Sequence, residues 1–111
     1  MDKTFRTAFV IEQGKLHDMS ALKFHAENIM YILKGDERDE EIAISISKVM
    51  PGFDRSLDVI IPTGRVIASF ILGYKLRELS DFYIGVYSDK KYSFLKVYPT
   101  ELDRVINDNV R

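Results

Sequence analysis

Asp58-Val59-Ile60-Ile61-Pro62-Thr63-Gly64-Arg65-Val66-Ile67-Ala68-Ser69-Phe70-Ile71-Leu72 is the stretch on which the fold turns. Asp58 to Ile61 is short, β-branched and apolar, the composition of a buried strand. Pro62 has no N–H with which to extend a ladder, and Gly64 lets the backbone turn sharply into a helix. The helix predicted from there to about Leu79 carries Ile67, Phe70, Ile71 and Tyr74 at i, i+3, i+4 and i+7, with Val66, Ala68 and Leu72 widening the apolar surface. A stripe so wide implies deep packing on a sheet or on a partner. Gly73 in the interior costs about 1 kcal/mol relative to alanine, which points to the close approach of another backbone. A strand-turn-helix of this kind also presents N–H groups at a positive helix end.

The neighbouring segments supply the sheet. Thr7 to Ile11 is a nearly all-apolar run closed by Gln13-Gly14, which suits a central strand ending near Glu12. Asp18 is a plausible N-cap for a short helix over Met19 to Ala26, and Asn28 to Leu33 reads as a second strand stopped by Lys34-Gly35. The acidic block Asp36 to Glu41 opens a helix continuing to Met50, since carboxylates in a first turn gain roughly 0.3–1 kcal/mol each from the helix dipole. Ile42-Ala43-Ile44-Ser45-Ile46-Ser47 alternates like a strand, but the acidic start and the Pro51-Gly52 stop favour the helix. Phe82 to Tyr87 and Tyr92 to Tyr98 form a hairpin around Ser88-Asp89-Lys90-Lys91, and Pro99 onward is a short helix with Thr100 as N-cap.

Strands alternating with helices, then a hairpin, predict a small three-layer α/β fold. Its sheet is mainly parallel and doubly wound, of order 2-1-3-4-5 counted along the chain, with a C-terminal antiparallel hairpin. A chain of 111 residues, 46% hydrophobic and 30% charged, fits one domain with one core. A formal charge of −1 gives no general attraction to nucleic acid or to an anionic membrane. The absence of cysteine excludes disulfides, thiolate zinc sites and cysteine nucleophiles, and suits a reducing compartment. With only His17 and His25, a histidine-rich metal site is excluded and a carboxylate site for a hard cation is unsignalled; no cofactor motif is present. Met1 to Arg6 lacks an apolar signal core, and no apolar run approaches the ~20 residues of a membrane span, so a soluble cytoplasmic protein is expected.

In such sheets ligands bind beyond the carboxyl ends of the strands where the order reverses, here between the first and third strands. That point gathers His17, Asp18, Ser20, Thr63, Gly64 and Arg65. Arg65 is the sharpest of them, because a cation in a first helical turn opposes the dipole unless an anion sits nearby. A bound phosphate or carboxylate would supply that anion; otherwise Arg65 points into water or pairs with a neighbouring acid such as Asp58. His17-Asp18 reads either as a general base with its orienting carboxylate or as a loop histidine followed by an N-cap. Thr63 and Ser20 could bind phosphate or act as nucleophiles, but no G-x-S-x-G, Walker or G-x-G-x-x-G pattern accompanies them. His25 reads as an ordinary helix residue. Tyr83 and Tyr87 on one strand face, with Lys90 and Lys91 at the hairpin tip, suit either single-stranded nucleic acid or an ordinary edge blunted by lysines.

The residues His17-Asp18-Met19-Ser20-Ala21, Asp58-Val59-Ile60-Ile61-Pro62-Thr63-Gly64 and the hairpin Phe82 to Val97 stand in an order that resembles small uncharacterised α/β proteins encoded by phages and other mobile elements. In these, a strand ending in Gly is followed by His-Asp-x-Ser-Ala, a D-[YV]-[IL]-[IL]-x-[ST]-G turn, an apolar helix and a terminal hairpin. The resemblance implies an accessory origin and no particular activity, and Arg65 lies outside its pattern. The first functional expectation is an accessory protein binding a nucleotide or phosphate at the switch point. The alternative is a homo-oligomeric structural or host-factor-binding protein without a small-molecule site; hydrolase or transferase activity ranks third because no catalytic constellation is complete. The apolar width of Val66 to Leu79 predicts a dimer or larger.

Overall fold

The computed structural model describes residues 4–13 and 19–109. Strand β1 (Phe5–Glu12) leads through a 3-10 turn (Met19–Phe24) to β2 (Ala26–Leu33), then helix α1 (Asp39–Val49), β3 (Val59–Ile61), α2 (Val66–Leu76), β4 (Phe82–Ser88), β5 (Lys91–Val97) and α3 (Pro99–Asn109). The five strands form one sheet in the order β2-β1-β3-β4-β5. The pairs β1–β2, β1–β3 and β3–β4 are parallel, and β4–β5 is antiparallel. This is the predicted α/β architecture, with the most apolar strands at its centre.

The two faces of the sheet are covered unequally. On one face Phe9, Ile11, Ile60 and Phe82 meet Ile42, Ile46 and Met50 from α1 and its extension and Ala68, Leu72 and Leu76 from α2. On the other, Ala8, Val10, Val59, Ile61 and Tyr92 are covered by the 3-10 turn, from which Leu22 is fully buried. Ile42, Ile46 and Met50 recur every four residues on one helical face while Ile44 is exposed, so helix formation wins over the strand-like alternation.

Several predicted boundaries shift, each for a local reason. The helix expected over Met19 to Ala26 is a six-residue 3-10 turn ending at Phe24, because the chain must already lie beside β1 by Ala26, where Phe5 N–H donates to His25 O at 2.9 Å. Thus β2 starts two residues earlier than expected. Helix α1 starts at Asp39, midway through the acidic block rather than at its beginning, since the Glu37 carboxylate accepts the Lys34 and Gly35 N–H groups, both at 2.9 Å, and holds the preceding loop. Glu41 accepts the N–H of Arg38 at 3.0 Å and secures the first turn. Helix α2 ends at Leu76 instead of Leu79, in tightened turns closed by Arg77 N–H to Tyr74 O and Leu79 N–H to Leu76 O. Helix α3 begins at Pro99, so Thr100 lies inside its first turn and is not the cap. Gly73 is exposed, and a Cβ placed on it would meet nothing within 4 Å, so no other backbone among the described residues approaches it.

The hairpin turns on Asp89 and Lys90, whose φ values of 53° and 66° are those of a two-residue I′ turn built without glycine. Left-handed backbone costs a lysine on the order of 1 kcal/mol. Replacing Asp89-Lys90 by Asn-Gly is therefore expected to raise stability by about 0.5–1 kcal/mol in a denaturant titration, with unchanged association; a lower midpoint would contradict this turn assignment.

Candidate functional site

At the carboxyl end of β1, Glu12 is the last strand residue, and its side chain is only 7% exposed. The β1–β3 ladder runs from Ala8↔Val59 to Val10↔Ile61 and then meets Pro62, which has no N–H to donate. Thr63 takes over the pairing: its hydroxyl donates to Glu12 O at 2.6 Å and accepts the Glu12 N–H at 3.3 Å. Gly64 follows with φ +85°, and a Cβ there would overlap the side chain of Glu12. Only glycine lets the backbone fold over that carboxylate.

Arg65 is the N-cap of α2, and its backbone N–H donates to Glu12 Oε1 at 2.8 Å. Its guanidinium Nε bonds both Glu12 oxygens, at 3.2 and 3.1 Å, and Nη1 bonds Glu37 O at 2.6 Å and Asp39 Oδ1 at 3.3 Å. Nη2 stands 2.9 Å from Glu12 Oε2, close enough for an ion pair but off the line of a hydrogen bond, and 4.0 Å from Glu37 Oε1. The hydrogen bonds from Arg65 hold the Glu12 carboxyl below the usual carboxylate range, and Glu12 raises Arg65 in return. The anion that a cation at this helix start requires is thus the protein's own Glu12.

Of the residues expected to converge here, Thr63, Gly64 and Arg65 do so, around Glu12. Ser20 stands exposed in the 3-10 turn, which packs on the sheet face opposite α1 and α2. His17 and Asp18 lie outside the described residues. Between the ends of β3 and β4, Thr63 also lines a recess of about 100 Å³ with Ile61, Gly85 and Tyr92; drug- and cofactor-sized ligands occupy roughly 300–1,000 Å³. Among the described residues no cluster of His, Asp and Glu could hold a metal ion, and no helix is long and apolar enough to cross a membrane.

Asp58 is not Arg65's partner, because it sits at the opposite end of β3. Fully buried, it accepts Arg6 Nε and Nη2 at 3.0 and 2.7 Å, Thr7 N–H at 3.1 Å and Asp54 N–H at 2.8 Å. His25 stands between the 3-10 turn and β2 with its ring 4.9 Å from that of Phe94. In the hairpin, Tyr83 packs on Phe5 and Tyr87 on Tyr92, with Lys96 over the Tyr83 ring at 5.2 Å.

Sequence reasoning missed Glu12, Glu37 and Asp39. A glutamate closing an otherwise apolar buried strand was the available signal for Glu12, since such a carboxylate needs a partner. No family model, curated protein or solved structure matches this chain. Fold and site together define a small doubly wound α/β domain whose switch point is closed by an internal ion pair.

Glu12→Gln is expected to cost about 2–3 kcal/mol, less than breaking a fully buried pair because Arg65 is one-third exposed. A lowered folded pKa means that the stabilisation is complete above the unfolded carboxyl value, about 4.3, and is lost as pH falls through the folded value. Stability-against-pH curves of wild type and Glu12→Gln should therefore converge in acid. Curves that stay parallel below pH ~4 would remove Glu12 from this role.

Proposed function

We propose that the protein is a self-associating structural component, of the accessory kind that the resemblance implies, working through its helical surface in the cytoplasm. The observation that carries this reading is the exposed face of α2, where Val66, Phe70 and Tyr74 are 69%, 75% and 69% exposed and Ile67 is 42% exposed. These side chains stand together at i, i+1, i+4 and i+8, whereas the buried stripe of the helix is Ala68, Leu72 and Leu76. On the face of the sheet that α2 covers, Val86 and Leu95 are exposed as well. Contiguous apolar patches on this scale mark interaction surfaces.

The closed switch point supports the same reading. A nucleotide or phosphate binding there would have to displace the Glu12 carboxylate from Arg65 and from the α2 N-terminus, and so break the contacts that hold β1, β3 and α2 together. The geometry therefore favours the reading without a small-molecule site.

Sedimentation equilibrium at high micromolar concentration is expected to give a dimer or larger, and Phe70→Glu, which alters an exposed residue, a folded monomer. Monomeric wild type under the same conditions would contradict the proposal.

A further inference from the structure

Strand β2 is one edge of the sheet and pairs with β1 alone. Phe5 N–H donates to His25 O at 2.9 Å and Gln13 N–H to Leu33 O at 3.2 Å, so the odd-numbered residues of β2 turn their backbone groups toward β1. By the alternation of a strand, Ala26, Asn28, Met30 and Ile32 turn theirs outward, where no partner meets them among the described residues. This open row has two definite ends. Before Ala26 the chain is leaving the 3-10 turn, with His25 N–H bonded to Leu22 O. After Ile32 the next outward N–H, that of Lys34, is taken by the Glu37 carboxylate at 2.9 Å.

Open edges are ordinarily guarded by short length, proline, bulges or lysine. The opposite edge, β5, carries Lys91 and Lys96 within its seven residues. Strand β2 has eight residues with no proline, glycine or lysine and a single charge, Glu27, and it exposes Met30 and Tyr31. Such an edge calls for a strand beside it.

We propose that β2 pairs antiparallel with β2 of a second copy about a two-fold axis at Ile29, joining two five-stranded sheets into one. This rests on the self-association proposed above and adds a second contact to the α2 face. The occupant follows from the symmetry of the open row, which is centred on Ile29. A two-fold axis perpendicular to the sheet sets Ala26 opposite Ile32 of the copy and Asn28 opposite Met30, so every outward N–H and C=O of both strands finds a partner. Ile29 meets itself across the axis, and Glu27 lies opposite Tyr31 of the copy on the same face. The two Glu27 carboxylates then stand four positions apart, ~13 Å at ~3.3 Å per residue, so no like charges are opposed.

Main-chain bonds formed at this edge replace bonds to water, and a single edge pairing is weak. A dimer made through α2 carries two such edges. Two dimers that meet through both at once gain the second pairing as an intramolecular step, which gives a closed tetramer of D2 symmetry.

The test uses the full chain, which has no cysteine. Ile29→Cys places each thiol opposite its own copy at the ~4.5 Å Cα separation of a non-hydrogen-bonded pair, which a disulfide spans. Oxidation is expected to give a disulfide-linked dimer from Ile29→Cys, and from a mixture of Glu27→Cys and Tyr31→Cys chains, but not from either of these two alone. In sedimentation equilibrium wild type is expected as a tetramer. Tyr31→Glu sets a carboxylate against Glu27 at both ends of the paired strands and should leave a dimer with a cooperative melt, since Tyr31 is exposed. Adding Glu27→Lys in the same chain should restore the tetramer. Wild type that stays a dimer, or Ile29→Cys that links no better than Glu27→Cys alone, would overturn the edge pairing and leave the α2 contact standing. Monomeric wild type would overturn both.

Discussion

The carboxylate of Glu12 holds the upper end of the molecule together. It receives the N–H and guanidinium of Arg65, it lies under the Gly64 turn, and its own backbone is clasped by the Thr63 hydroxyl. One side chain at the end of β1 thereby fixes where β3 stops, where α2 begins and, through Arg65 and Glu37 O, how the loop before α1 lies. The energetic reason is asymmetric: a paired, hydrogen-bonded carboxylate is tolerated at a nearly closed site, whereas a lone one there would cost several kcal/mol.

Such a clasp is needed because β3 has only three residues, all buried. A strand that short has too few ladder bonds to fix its register, and a one-residue slip would turn its side chains to the wrong faces. Acidic side chains tie it to β1 at both ends. Asp58 binds Arg6 and Thr7 below, and Thr63 and Arg65 meet Glu12 above. The Asp-x-x-x-Pro-Thr-Gly-Arg order that looks like an active-site loop is, in this chain, the fastening of its shortest strand.

Strand order and helix placement were legible in the sequence because they follow from local apolar periodicity and from the rules of parallel crossovers. The strand-like run Ile42 to Ser47 was resolved by its flanks, Asp39 to Glu41 before it and Pro51 after it. The content of the switch point was not legible. Thr63, Gly64 and Arg65 announce a helix start that wants an anion, but the anion comes from Glu12, 53 residues away, and nothing local distinguishes an internal carboxylate from a bound one. The 3-10 turn before β2 was missed for a related reason, since its shape is set by the distance to β1 rather than by its own propensity.

With the switch point closed by Glu12, the proposed self-association rests on the exposed apolar face of α2 formed by Val66, Ile67, Phe70 and Tyr74. The most direct measurement is a dilution series of amide NMR spectra at neutral pH, from high to low micromolar protein. The expected result is movement of the amide signals of Phe70 and Tyr74, while those of Ala8 and Leu22, buried on the opposite side of the sheet, stay fixed. Signals of α2 that do not change with concentration would contradict it.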